Sequence, residues 1–168
     1  MSRDLIEGKA ARENDEVIMT ELVLPSHTNA LGTIFGGVVM SWIDIAAAIC
    51  SQRHCRKTVV TASIDDMAFV AAVKLGWIVH IRARVNYTSR TSMEIGVRVD
   101  AENPTTGEWH HTASAYLTFV AIDKDGKPSP VPPFVPKTSE DKRRYEEATK
   151  RREIRLQRRD AKKLQDAR

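Results

Sequence analysis

From Ile34 to Cys50 only Ser41 and Asp44 are markedly polar; the remainder includes Phe35, Val38, Val39, Met40, Trp42, Ile43, Ile45, Ala46 to Ala48 and Ile49. The run falls short of the roughly 20 apolar residues that cross a bilayer, and it contains a glycine pair and an acid. It predicts a buried helix of a soluble domain with no membrane span. A helix that is apolar nearly all round must be surrounded, and a curved sheet is the natural wrapping.

The chain downstream supplies strands. Thr58 to Phe69, Trp77 to Tyr87, Met93 to Ala101 and Trp109 to Ile122 are strand-like. In the second of these, Ile81, Ala83, Val85 and Tyr87 alternate with Arg82, Arg84 and Asn86, and in the third Ile95, Val97 and Val99 alternate with polar positions. Val17 to Leu24 reads as an earlier strand stopped by Pro25, and Ser26 to Thr33 as a loop. Short polar links at Thr88 to Thr91 and Asn103 to Gly107 join the last three strands into an antiparallel meander. Five of the seven prolines fall between Pro128 and Pro136, an extended linker. Thr138 to Arg168 is rich in helix formers, with Thr138 or Ser139 as N-cap, but its apolar residues are sparse; a solvated, fraying helix is expected. The predicted division is a polar leader (1–14), a main domain (15–126), a Pro-rich linker (127–137) and a basic helical tail (138–168) of α+β class.

Charge refines this picture. The formal net charge is +4, but residues 137–168 hold 13 basic and 7 acidic side chains, leaving 13 and 15 for the rest. The main domain is therefore slightly acidic, and no DNA-reading module is visible, which argues against nucleic acid as a partner. Cys50 and Cys55, with no second pair to complete a zinc site, fit a reducing cytoplasm, and residues 1–16 show no secretory signal.

Asp44 is the most informative residue, because a carboxylate in so apolar a helix costs desolvation unless it is paired, hydrated or put to use. A structural acid or a subunit contact is the alternative. Gly36 and Gly37 at the helix start leave first-turn N–H groups that can hold an oxyanion, or simply permit close packing. The Asn29 amide can polarise a carbonyl or orient water, or can close an Asx turn, the simpler reading. Ser89, Arg90, Thr91 and Ser92 offer hydroxyls and a guanidinium to phosphate groups, or form a plain polar turn. His27 reads as an ordinary loop histidine. Asp65 and Asp66 point to opposite faces of a strand and define no metal site. Serine-triad and nucleotide-loop motifs do not occur.

His27 to Gly37 (His-Thr-Asn-Ala-Leu-Gly-Thr-Ile-Phe-Gly-Gly) followed by Met40-Ser41-Trp42-Ile43-Asp44 resembles the hot-dog-fold acyl-CoA thioesterases, nearest the cytosolic acyl-CoA hydrolase branch. Val60 to Ser63, Ser92-Met93-Glu94, Ala113 to Ala115 and Thr118 to Asp123 extend the match over roughly residues 15–126. The resemblance implies an antiparallel sheet wrapped around a long central helix, and homodimers that assemble further, as a trimer of dimers, with active sites between protomers. It implies hydrolysis of acyl-CoA, with Asp44 as general base or nucleophile, Asn29 contributed by the other subunit and Gly37 as backbone oxyanion donor. Gly36, Ser89, Arg90, Thr91 and Ser92 would contact coenzyme A, which is part of substrate and product, so no resident cofactor or metal is implied. The resemblance places Arg or Lys where His110 and His111 stand, which suggests a pH-dependent nucleotide contact. Two other functions on the same fold are a non-catalytic acyl-CoA sensor and an enoyl-thioester dehydratase; the missing helix histidine argues against the second.

Overall fold

The computed structural model describes residues 16–166; the predicted leader, 1–14, lies outside the described residues. Five strands, β1 (Val17–Leu22), β2 (Thr58–Phe69), β3 (Ile78–Thr88), β4 (Ser92–Glu102) and β5 (Trp109–Ile122), form one antiparallel sheet in the order β1-β3-β4-β5-β2. The expected meander is β3-β4-β5, with β1 and β2 as the two edges. The long helix α1 (Gly36–Cys55) packs on one face of the sheet, and α2 (Ser139–Asp166) lies against the other.

The core follows from the alternation. Val79, Ile81 and Ala83 of β3, Met93, Ile95, Val97 and Val99 of β4, and Ala113, Ala115, Leu117 and Phe119 of β5 meet Val39, Ile43, Ala46, Ala47 and Cys50 of α1. α1 runs five residues past the apolar stretch because Ser51, His54 and Cys55 keep facing inward while Gln52 and Arg53 face water. His54 Nε2 lies 2.9 Å from the Pro132 carbonyl, and Arg56 ends the helix in the left-handed conformation. At the other end, β1 stops at Leu22 and a single 3₁₀ turn, Pro25–His27, follows.

Two expectations need correction. The alternation in β3 breaks at a bulge between Val85 and Tyr87, so Tyr87 pairs with Glu94 and meets Tyr145 of α2 at 5.0 Å instead of joining the α1 core. A bulge places two residues opposite one, and the side-chain phase flips beyond it. The tail is also more than a solvated helix: Ala148 is fully buried, and Arg151 reaches Glu94, itself 1% exposed, with 2.7 Å between Nη2 and Oε1. The same guanidinium lies 3.7 Å from the Tyr116 ring centre, and Arg155 pairs with Asp65 on β2. Thr138 is the N-cap, its hydroxyl accepting the Asp141 N–H at 3.0 Å while the Asp141 carboxylate accepts the Thr138 N–H at 3.0 Å.

Candidate functional site

α1 is not surrounded within one protomer. Gly37, Met40, Ser41 and Ile45 are exposed and Asp44 is half-buried, whereas Val39, Trp42, Ile43, Ala46 and Ala47 are buried. At 100° per residue the first set forms one stripe and the second the opposite one. The open stripe adjoins β2, whose outer edge bonds to no other strand among the described residues and which carries the exposed Val60 and Ile64.

Asp44 sits on that stripe. Its Oδ1 accepts a hydrogen bond from the Thr61 hydroxyl of β2 at 2.7 Å, which fixes the carboxylate and leaves Oδ2 without a protein donor among the described residues. Thr61 was not singled out from the sequence; it lies 17 positions away on another element, and only the match at Val60 to Ser63 pointed toward it.

Gly36 and Gly37 open α1 after Phe35, the N-cap, which has extended backbone and no capping side chain. The Val38 N–H returns to the Phe35 carbonyl at 2.9 Å, while those of Gly36 and Gly37 find no acceptor among the described residues. These two donors, at the positive end of the helix dipole, are suited to a developing oxyanion. A Cβ on Gly37 would lie 2.6 Å from the Phe35 ring, so glycine is the residue that fits beside that ring. Thr33, Ile34, Gly36, Phe69, Val73 and Thr112 line a cleft of about 330 Å³ at the helix start.

Asn29 closes the Asx turn that was the simpler reading. Its Oδ1 accepts the Leu31 N–H at 2.9 Å and the Thr33 N–H at 3.3 Å, and its Nδ2 donates to the Thr33 hydroxyl at 3.1 Å. One amide hydrogen is left over among the described residues, on a side chain that is exposed. The loop is tied to the helix start, because the Phe35 N–H donates to the His27 carbonyl at 2.8 Å. His27 is structural: its Nδ1 accepts the Leu24 N–H at 3.2 Å and its ring meets Trp42 edge-on. Asn29 and Gly37 thus belong to one local unit, and no hydrogen bond joins Asn29 to Asp44 within the protomer among the described residues.

Ser89 to Ser92 form the β3–β4 turn, closed by the Ser89 N–H to the Ser92 carbonyl at 2.7 Å. Met93 lies level with Phe119, which pairs with Thr61, so this turn and Asp44 share one end of the sheet. His110 and His111 sit at the other end, opposite Ala101 and Asp100, about 30 Å along β4 at strand rise. His110 stacks on Trp77, and His111 bonds Asp100 at 3.2 Å and Ser114 at 3.1 Å. Within one protomer they therefore lie far from the turn. Burial works to raise the Asp100 carboxyl, but hydrogen bonds and charge from Arg98 and His111 hold it below the usual carboxylate range.

Among the described residues no three His, Cys, Asp or Glu side chains converge as metal ligands, and no helix is long and apolar enough to cross a membrane.

Residues 31–108 match the family model of the thioesterase superfamily. The chain is 42% identical over 129 residues to the uncharacterized acyl-CoA thioester hydrolase YkhA of Bacillus subtilis, covering 77% of this chain and 75% of that one. It is 40% identical over 131 residues to the mouse cytosolic acyl coenzyme A thioester hydrolase, covering 77% of this chain and 34% of that longer protein. Among solved structures, a hexameric acyl-CoA thioesterase superposes with a TM-score of 0.83 at 47% identity, over 86% of this chain and 92% of that one. The Staphylococcus aureus acyl-CoA hydrolase, solved with butyryl coenzyme A and coenzyme A, gives 0.83 at 36%, over 90% and 92%. The chain belongs to the thioesterase superfamily and has its hot-dog fold.

Proposed function

We propose that the protein hydrolyses acyl-coenzyme A thioesters to the free acid and coenzyme A, at a site that two protomers build together. The observation that carries this reading is the Asp44 carboxylate, held by Thr61 on the uncovered stripe of α1 and seven residues from the unpartnered Gly37 N–H. Seven residues of helix span about 10.5 Å, too far for one carbonyl to touch both groups of a single chain. Gly37 and the Asn29 loop of one protomer therefore serve a thioester together with Asp44 and Thr61 of the other.

In this arrangement the carbonyl oxygen points at the Gly37 N–H and the free amide hydrogen of Asn29. Asp44 takes a proton from water, the hydroxide adds to the carbonyl carbon, and the oxyanion forms at the helix start. The C–S bond then breaks, and the leaving thiolate recovers the proton from Asp44. The alternative is direct attack by Asp44 to give an anhydride that water then opens. Neither route calls on a resident cofactor. The Staphylococcus aureus relative has been solved with alanine in place of an aspartate, an asparagine and a threonine, the same three residue types.

The dimer forms through β2. A 12-residue edge strand with exposed Val60 and Ile64, beside exposed Met40 and Ile45, offers both unpaired backbone groups and apolar surface to a second copy. Hexameric relatives support three such pairs per assembly. Coenzyme A then runs from the site toward Ser89, Arg90, Thr91 and Ser92. A cytoplasmic setting is proposed from the cytosolic mouse relative.

Thiol release from short to long acyl-CoAs, with wild type and Asp44→Ala side by side, tests the reading. Turnover that collapses in the variant supports it; a folded oligomer that binds coenzyme A and releases no thiol points to a sensor instead.

A further inference from the structure

Seven arginines lie along α2, and five of them are neutralised by carboxylates: Arg143 and Arg144 by Glu140, Arg151 by Glu94, Arg155 by Asp65 and Arg159 by Asp160. Arg152 has no acidic partner among the described residues. Its guanidinium instead reaches the β3–β4 turn, where Nη2 donates to the Ser89 hydroxyl at 3.3 Å, and it lies 6.0 Å from the Tyr87 ring centre.

The turn is poor in acceptors for a cation and rich in donors. The side chain of Arg90 is exposed and makes no ion pair among the described residues. The backbone N–H groups of Arg90 and Thr91 also find no acceptor there, while the Arg90 and Thr91 carbonyls are already used by Val131 and Ala121, each at 3.0 Å. The Arg152 guanidinium, the turn's own Arg90, two amides without an acceptor and the hydroxyls of Thr91 and Ser92 thus belong to one tip, and no carboxylate pairs with either arginine among the described residues. A guanidinium with no carboxylate partner, set beside amides that have no acceptor, leaves a positive site that an anion would neutralise. A phosphate monoester or diphosphate supplies the planar, multiply accepting face that guanidinium groups bind best.

We infer that Arg152 of α2 is a substrate-binding residue, completing with Arg90 and the turn amides a cradle for the phosphates of the nucleotide end of coenzyme A. This rests on the proposed function, and it gives the C-terminal helix a role in substrate recognition. The Arg151–Glu94 pair is what places it, because a helix pinned by a buried ion pair presents the next residue at a fixed position beside Ser89.

The test compares Arg152→Ala, Arg152→Lys and Arg90→Ala on an acyl-CoA and on the acyl-pantetheine of the same chain length, which lacks the nucleotide. Inhibition by adenosine 3′,5′-bisphosphate is measured alongside. Arg152→Ala raises KM for acyl-CoA about tenfold with little change in kcat, weakens bisphosphate inhibition in step, and shifts KM for acyl-pantetheine far less; Lys recovers part of the loss. An equal rise on both substrates, or no rise while Arg90→Ala produces one, overturns the role given to Arg152. If wild type hydrolyses neither thioester, the hydrolase reading fails, and direct titration with the bisphosphate still decides the cradle: weaker binding in Arg152→Ala sustains it, equal binding removes it.

Discussion

The chemistry proposed for Asp44 depends on one hydroxyl. Thr61 holds one carboxylate oxygen and leaves the other for water, so the two residues separate in their effects. Asp44→Ala removes the carboxylate and lowers kcat about 10³-fold, whereas Thr61→Val leaves a carboxylate that is no longer positioned and costs about tenfold; steady-state thiol release reads both. At the helix start, Gly37→Ala drives the Phe35 ring from its place and lowers kcat, while Gly36→Ala places its Cβ in ordinary contact with Phe69, 3.6 Å away, and is tolerated better. Asp100 belongs to stability. Its carboxyl is held low in the folded chain, so its contribution is present above the unfolded carboxylate pKa and is lost as pH falls through the folded value. Melting followed from pH 7 to 3 shows a shallower acid loss in Asp100→Asn than in wild type. Asp44 could be singled out from the sequence because a carboxylate is out of character in so apolar a helix, whereas Asn29 and Gly37 took their roles from the family resemblance; Thr61 was not singled out, since a threonine in a strand is unremarkable until the helix carboxylate is set beside it.

Among the elements, α2 departs furthest from its sequence pattern. Its composition reads as a solvated helix because the side chains that dock it are arginines, and their partners Glu94 and Asp65 lie 57 and 90 residues away. Arg151→Ala leaves Glu94 buried without its cation, beside an Asn86 Oδ1 that already lacks a partner, and lowers unfolding free energy by about 3–5 kcal/mol in urea titrations. Loss within the range of a surface pair, below about 1 kcal/mol, would show that α2 is not pinned there. Gly96 makes room for the same cluster: a Cβ there would lie 2.5 Å from Asn86 Nδ2, so Gly96→Ala displaces a buried amide and destabilises the sheet at the bulge.

At the scale of the whole molecule, the proposed site is completed by a second protomer. In the proposed arrangement, with Asn29 and Gly37 from one protomer and Asp44 from the other, a mixed dimer of Asn29→Ala and Asp44→Ala contains one site with both defects and one with neither. Co-refolding the two inactive variants in equal amounts therefore restores about a quarter of wild-type activity. No recovery would place all three groups in one chain's site. A charge on the β2 edge, Ile64→Lys, splits the dimer in sedimentation and abolishes turnover together with assembly.

The local pattern by itself determined the long apolar helix, the meander and Asp44 as the residue out of character, because these follow from nearest-neighbour periodicity and from the cost of polar groups in apolar surroundings. The tertiary structure alone decided the bulge that turns Tyr87 outward, the Thr61 contact, the docking of α2 and the open stripe of α1. Each of these joins groups far apart in sequence, and a pairing across the sheet leaves no mark on the periodicity of either partner.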